Sequence, residues 1–356
     1  MRGYEGVRVI GSRAGPYRVD VHDSLDAVRL EWQRLARAGR VPLFHHPRYL
    51  DAYAAAPLHP IARAHYLLAR DGGGDAVAAL PLFLQYDMDP LGVLVHQLPS
   101  GSAPVGLLSH VWHCYDTRVP AAAPLEPALL SALLDAAGAL AAQSGADWYG
   151  LVNVEAGGEL AHCLDQLAGP YALTRVRVDE RFTLDLDGCT GIEDFIAGLS
   201  PRQRQHLRRF RRRAGEAGLA VRVAGPAGAD LDGLLSLVQG TMAKFGAGSF
   251  FPPGRFQRFV SALGDRARVL ELRVDGRLVA GAACLLDEDR LHFWISGTDY
   301  DASPTFSPNY LLFLEAIHEA LRRGARVFEG GRRNGEFKER FGLRGRELLA
   351  YVARTR

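Results

Sequence analysis

Apolar positions alternate with turn signals along this chain in an order that recurs. Residues 64–70 and 76–86 are strand-like runs separated by Asp71-Gly72-Gly73-Gly74-Asp75. Residues 269–274 and 278–286 are joined by Asp275-Gly276. An Asp-Gly pair between apolar runs predicts a β-hairpin, because the tight turn needs left-handed backbone that glycine adopts freely. A further strand-like segment follows each hairpin. Then comes a stretch with helical spacing, 127–143 and 309–323. Each helix ends in Gly-Ala, at Gly145-Ala146 and Gly324-Ala325, with the glycine suited to the C-terminal cap. An aromatic-containing strand follows, over 147–154 and 326–328. Strand–strand–strand–helix–strand therefore appears twice. Hairpins require antiparallel pairs, so two similar domains fit better than one doubly wound sheet. The expected fold is α/β (α+β), with domains at 1–180 and 181–356, each a mixed, mostly antiparallel sheet flanked by helices.

The segment 200–217 between the halves has a different pattern. Ser200 suits a helix cap and Pro201 its first turn. Seven arginines (202, 204, 208, 209, 211, 212 and 213) fall in twelve positions, with Leu207 and Phe210 as one apolar contact. Such a helix belongs on a surface or along a groove.

Composition sharpens this. The 356 residues are 48% hydrophobic, enough for two packed cores. No apolar run approaches the roughly 18–20 residues that span a bilayer, and 1–21 has no apolar core of a secretory signal. Cys114, Cys163, Cys189 and Cys284 are scattered without CxxC spacing, so reduced thiols in a cytoplasmic protein are expected, with no disulfide or zinc framework. Charge is uneven: 14 basic and 19 acidic residues in 1–180 give −5, and 28 basic and 21 acidic in 181–356 give +7. The C-terminal half is the side suited to an anionic ligand.

The most informative motif is also there. A short strand leads into Glu329-Gly330-Gly331-Arg332-Arg333-Asn334-Gly335-Glu336-Phe337-Lys338-Glu339-Arg340-Phe341-Gly342. Glycines let backbone approach a ligand closely. Lys338 is one of only two lysines, with Lys244, against forty arginines.

The duplicated element order resembles that of GNAT acyltransferase domains. Together with the Arg-rich helix, Gly330, Gly331, Phe337, Lys338, Phe341, Gly342 and the helix start Ser307-Pro308-Asn309-Tyr310, it resembles the FemAB-like transferases. The likeness is clear over 190–350 and faint over 20–180, where element order and the segment Phe44-His45-His46-Pro47-Arg48-Tyr49-Leu50 carry it. It implies transfer of an acyl or aminoacyl group from acyl-CoA or aminoacyl-tRNA to an amine or hydroxyl. That chemistry needs an oriented carbonyl, an amine losing a proton and donors for the oxyanion. No covalent enzyme intermediate is required, which fits the lack of a GxSxG elbow.

CoA-dependent relatives carry a Gly-rich pyrophosphate loop between the fourth strand and the next helix. Here that junction, 297–309, holds two aspartates and Pro304 and Pro308 instead. Its composition and the Arg-rich helix favour aminoacyl-tRNA as donor substrate, with no permanently bound cofactor; acyl-CoA is the alternative. The expected partners are tRNA and a small-molecule acceptor, without a membrane, in a monomer or homodimer.

Within that reading, Lys338 stabilises negative charge and Glu329 or Asp299 takes the amine proton. Tyr310 and Asn309 contact substrate, and Arg202, Arg204, Arg208, Arg209, Arg212, Arg332 and Arg333 grip phosphate. His292 and Trp294 line the pocket, joined from the first half by Trp112, His113 and Tyr115 as the acceptor wall. Each has a plainer reading: a salt bridge for Glu329, a turn for Asp299, core packing for Trp294, a satisfied buried histidine for His292. Phe250, Phe251, Phe256 and Phe259 form a loop-like apolar cluster. His110 and His113 have HxxH spacing without a third ligand, so no metal is expected. The preferred pathway is natural-product biosynthesis. A peptidoglycan cross-bridge aminoacyltransferase and a non-catalytic RNA-binding protein are the remaining alternatives.

Overall fold

The computed structural model describes residues 8–11 (backbone), 15–89, 92–98, 104–109, 113–244, 246–248, 250–302 and 304–356. The chain divides into two compact units, 1–179 with 347–356, and 180–346.

The first unit contains, in chain order, β1 (Arg8–Gly11), β2 (Arg18–His22), α1 (Arg29–Ala38), α2 (Pro47–Ala55), β3 (Arg63–Arg70), β4 (Ala76–Gln85), β5 (Gly106–Leu108), α3 (Pro127–Ser144), β6 (Trp148–Glu155) and α4 (Glu159–Tyr171). β7 (Thr174–Asp185) leads into the second unit. There follow α5 (Ile192–Gly198), α6 (Pro201–Glu216), β8 (Ala220–Ala224), α7 (Leu231–Ala243), α8 (Arg255–Leu263), β9 (Ala267–Val274), β10 (Arg277–Leu286), β11 (Arg290–Thr298), α9 (Pro308–Arg322), β12 (Val327–Arg332), α10 (Gly335–Glu339) and β13 (Arg344–Arg354).

Both expected hairpins form. β3 pairs antiparallel with β4, and β9 with β10 through Asp275 (φ 50°) and Gly276 (φ 77°). Gly145 and Gly324 are left-handed beyond the ends of α3 and α9, and their N–H groups donate to the last helical carbonyls. In the first unit the strand order is β1-β2-β3-β4-β5-β6, and Leu348–Arg354 of β13 closes it beside β6. In the second it is β8-β9-β10-β11-β12, closed by Arg181–Asp185 of β7. Each sheet is antiparallel except for one pair, β5 with β6 and β11 with β12. A helix joins each parallel pair, as such crossovers require. The expected boundary needs correction in one place: residues 347–356 group with the first unit, because β13 runs its ladder along β6.

α3 carries leucine and alanine on nearly every side and is the spine of the first core, with β2, β3, β4 and α4 around it. α9 has the same place in the second, where Leu311, Leu312, Phe313, Ala316, Ile317 and Ala320 pack on β9–β12 and on Leu207 of α6. Phe256 and Phe259, expected in a loop, lie on the buried face of α8. Their spacing of three, with Val260 and Leu263, is a helical stripe. The four cysteines are free thiols. Among the described residues no helix is long and apolar enough to cross a membrane.

Candidate active site

The second unit opens where its parallel strands part. β11 and β12 pair over three rungs only: Arg290 with Val327, Leu291 with Phe328, and His292 with Glu329. Beyond the third rung β11 stays on β10, while β12 bulges against β7 between Glu329 and Arg332. The bulge is Gly330-Gly331. A Cβ on Gly330 would sit 2.5 Å from Leu343 Cδ2. One on Gly331, whose φ is 73°, would sit 3.2 Å from the Phe293 carbonyl. Only glycine fits both demands, space and left-handed backbone. A second bulge, on β11 at Trp294, adds to the divergence.

A buried ion cluster pins the point of separation. Glu329 is fully buried, and its Oε1 accepts from Arg181 Nη1 at 2.8 Å and Arg290 Nη1 at 3.1 Å. His292, also fully buried, pairs through Nε2 with Asp287 Oδ2 at 2.7 Å. Glu329 is thus a clamp between three strands, sealed from an incoming amine. Trp294 packs edge-on to Phe251 (5.7 Å) and against Phe256 and Phe259, on the α8 side.

After the bulge, Arg333 (φ 61°) and Asn334 (φ 55°) are both left-handed and swing the chain into α10. This turn buries Lys338 to 5% exposure. Its Nζ donates to the Arg332 carbonyl at 2.7 Å and lies 5.1 Å from the Phe182 ring centre. Lys338 therefore secures the outward bend of β12 from a buried position. Phe337 and Phe341 on either side pack on Tyr310 and Phe313. Arg340 donates to the Tyr310 hydroxyl at 3.0 Å, and that bond raises the guanidinium pKa.

The junction between β11 and α9 is tied up internally. Asp299 Oδ2 pairs with Arg277 at 2.5 Å, and Oδ1 accepts the backbone N–H of Asp301 (3.0 Å) and Ala302 (3.2 Å). This is the turn role. Pro308 opens α9 without an N–H to offer. Asn309 makes no capping bond there, Ser307 being the cap residue.

α6 presents two arginine flanks astride its packed seam of Leu207 and Ala214. On one, Arg213 donates to the Thr305 carbonyl (2.9 Å) and Phe210 stacks near Tyr310, facing the start of α9. Arg202 and Arg209 are exposed on this side, with Arg209 over the Phe210 ring. On the other, Arg204 donates to the carbonyls of Ala197 and Leu199, and Arg211 pairs with Glu193 of α5 at 2.8 Å. Arg212 lies 3.6 Å from Glu216. Arg332 is half-buried and Arg333 exposed.

Among the predicted residues, Lys338, Tyr310, Asn309, Arg332 and the near flank of α6 surround the start of α9 and α10. His292 and Glu329 lie below the split and Trp294 on the α8 side. Trp112 and His110 lie outside the described residues. His113 and Tyr115 belong to the first unit, where both are buried with Phe44, Tyr49 and Tyr53. Sequence reasoning missed Arg181, Arg290, Asp287, Arg277 and Arg340. Arg181 and Arg290 are 148 and 39 residues from their shared partner, a separation that no local pattern reveals.

No curated protein matches the sequence. Residues 201–339 match the family model described as the acetyltransferase (GNAT) domain. That span lies within the second unit. The chain shares its fold with FemX at a TM-score of 0.63 and 12% identity, over 91% of this chain and 96% of that one. A tandem GNAT protein from the clavulanic acid biosynthesis pathway matches at 0.58 and 14%, over 95% and 99%. The C-terminal domain of an Agrobacterium fabrum protein designated a lysylphosphatidylglycerol synthetase matches at 0.53 and 14%, over 92% of each chain. The duplicated GNAT architecture is thus the fold of the chain.

Proposed function

We propose that the protein transfers an aminoacyl group from aminoacyl-tRNA to the amine or hydroxyl of a small molecule. One observation carries the choice of donor. At the junction where a GNAT domain would offer free backbone N–H groups to a pyrophosphate, Asp299 already occupies those of Asp301 and Ala302, and Pro308 has none. The near flank of α6, with Arg202 and Arg209, instead presents exposed guanidiniums suited to a phosphodiester backbone. The resemblance to FemAB-like transferases and the fold shared with FemX support the same reading. The fold shared with a clavulanic acid pathway protein supports a biosynthetic setting.

In this mechanism the ester carbonyl lies in the split between β11 and β12. The acceptor attacks it directly, and the buried ammonium of Lys338 stabilises the oxyanion as charge develops. Tyr310, held by Arg340, orients the donor. Asp299 and Glu329 are engaged by arginines, so the amine proton leaves to water; the new bond forms as the ester C–O bond breaks, and the terminal ribose oxygen of the tRNA departs with a proton from water. The test is a transfer assay with charged tRNA and acyl-CoA offered in parallel. Transfer from tRNA alone is expected, with at least a tenfold loss in an Arg202→Glu/Arg209→Glu variant. Pantetheine-dependent binding of CoA with turnover of acyl-CoA overturns the donor. Salt-sensitive RNA binding without transfer to any acceptor overturns the enzyme.

A further inference from the structure

The far flank of α6 carries a second feature. α5 and α6 enclose a cleft of about 330 Å³ lined by Glu193, Ile196, Ala197, Arg204, Leu207, Arg208 and Arg211. Its floor is apolar, with Ile196 and Leu207 buried. Its rim is three guanidiniums, one turn apart along α6. Glu193 is matched by Arg211 at 2.8 Å. Arg204 is held over the cleft by two backbone carbonyls, at 2.9 and 2.7 Å, and has no carboxylate partner among the described residues. Arg208 is exposed and has none either. Two positive charges, one of them fixed in place, therefore stand uncompensated above an apolar floor. That is the chemistry of a phosphate with a sugar or base beside it.

We propose that this cleft is a second anchoring point for the RNA carrier, holding a backbone phosphate of a strand that crosses α6. The inference rests on the donor assigned above. The occupant follows from placement. Arg213 and Phe210 mark the flank that touches Thr305 and Tyr310, and the cleft is on the opposite flank. A helix is about 10–12 Å across with its side chains. A ligand reaching both flanks must carry phosphates over at least that span, as a polynucleotide does. Arg212, near the crest of the helix, lies on the path.

Arg208→Glu is the decisive variant, because Arg208 is exposed and bonds no other group among the described residues. Arg258→Glu, exposed on α8, is the charge-matched control. Binding of an unlabelled tRNA transcript is measured across a salt series, with CoA and inorganic phosphate as competitors. Expected is at least a tenfold loss of tRNA affinity in Arg208→Glu, and a salt slope lower by about one phosphate contact, with Arg258→Glu unchanged. Identical behaviour of the two variants overturns the cleft and leaves the donor standing. Competition by CoA that is lost in Arg208→Glu replaces the RNA strand with a nucleotide cofactor and overturns the proposal. Absence of tRNA binding in the unmodified protein defeats the donor reading itself.

Discussion

The two units handle the same structural event differently. In each, the strand after the long helix bulges where the parallel pair ends. On β6 the bulge against β13 falls between Leu151 and Val154, and on β12 the bulge against β7 falls between Glu329 and Arg332. The left-handed residue is Asn153 (φ 59°) in the first case and Gly331 (φ 73°) in the second. Asn153 is fully buried, and its Nδ2 donates to the Cys114 carbonyl at 2.9 Å, while its own carbonyl accepts the N–H of Thr117. After β5 the chain pairs with β4 again at Pro120–Ala122. Between them, Cys114 and Thr117 bond to Asn153 at the bulge of β6. In the second unit β11 never leaves β10, from Leu291 to Thr298, and Gly331 offers no side chain. One unit ties its own chain into the place where the other leaves its parallel strands parted. The proposed transfer site is placed in the second unit on that difference.

The position before each bulge differs most in energy. Leu151 is core, whereas Glu329 holds Arg181 and Arg290. Converting Glu329 to Leu copies the first unit into the second and removes the carboxylate that Arg181 and Arg290 share. Removing one partner of such a cluster costs about 3–5 kcal/mol. Urea unfolding of Glu329→Leu is expected to show that loss. A variant with unchanged midpoint means that the clamp does not hold the split strands together.

The hairpins, both long helices, their glycine caps and the following strands were legible in the sequence, because each depends on neighbours a few residues apart. The return of β13 to the first unit was not, since strand partners are chosen by the whole sheet. At the site, Lys338 was found from its rarity and its glycine-rich approach, but not its burial. The left-handed pair Arg333-Asn334 that turns it inward has no strong local signal. Glu329 and Asp299 were legible as carboxylates beside turns; that arginines occupy them depends on chain segments remote in sequence.

Acid is expected to separate the units next. His45 in the first unit is fully buried, and burial lowers its pKa to about 4, against the opposing pull of Asp116. Its Nε2 accepts the N–H of Arg118 at 3.0 Å, at the end of the excursion from β5. Arg118 and His46 add to the lowering. A folded-state pKa below the unfolded value of about 6.5 means that the unfolded chain binds the extra proton first. Stability is intact above pH about 6.5 and is lost as pH falls toward 4, by roughly 3 kcal/mol in all. Thermal unfolding across that range should show the decline in the wild type and a flatter profile in His45→Gln. Parallel profiles would remove the histidine from the acid sensitivity of this unit.

The smallest expected effects come from exchanging the two left-handed residues, and they bear most directly on the comparison. Asn153→Gly keeps the backbone free to adopt φ 59° and removes the amide bond to the buried Cys114 carbonyl. A loss of about 1–2 kcal/mol is expected, with aminoacyl transfer unchanged. Gly331→Asn places in the second unit the residue type that tolerates left-handed backbone best after glycine. The new Cβ would lie 3.2 Å from the Phe293 carbonyl, so the strand shifts by a few tenths of an ångström and stability falls by about 1 kcal/mol, within the usual range for a point change. The new side chain would project into the split between β11 and β12, so transfer is expected to fall at least tenfold, well beyond what that loss of stability explains. If Gly331→Asn remains fully active, the split is not where the acyl group lies. If Asn153→Gly lowers transfer as strongly, the first unit contributes to the reaction, and the division of labour between closed and open bulge is wrong.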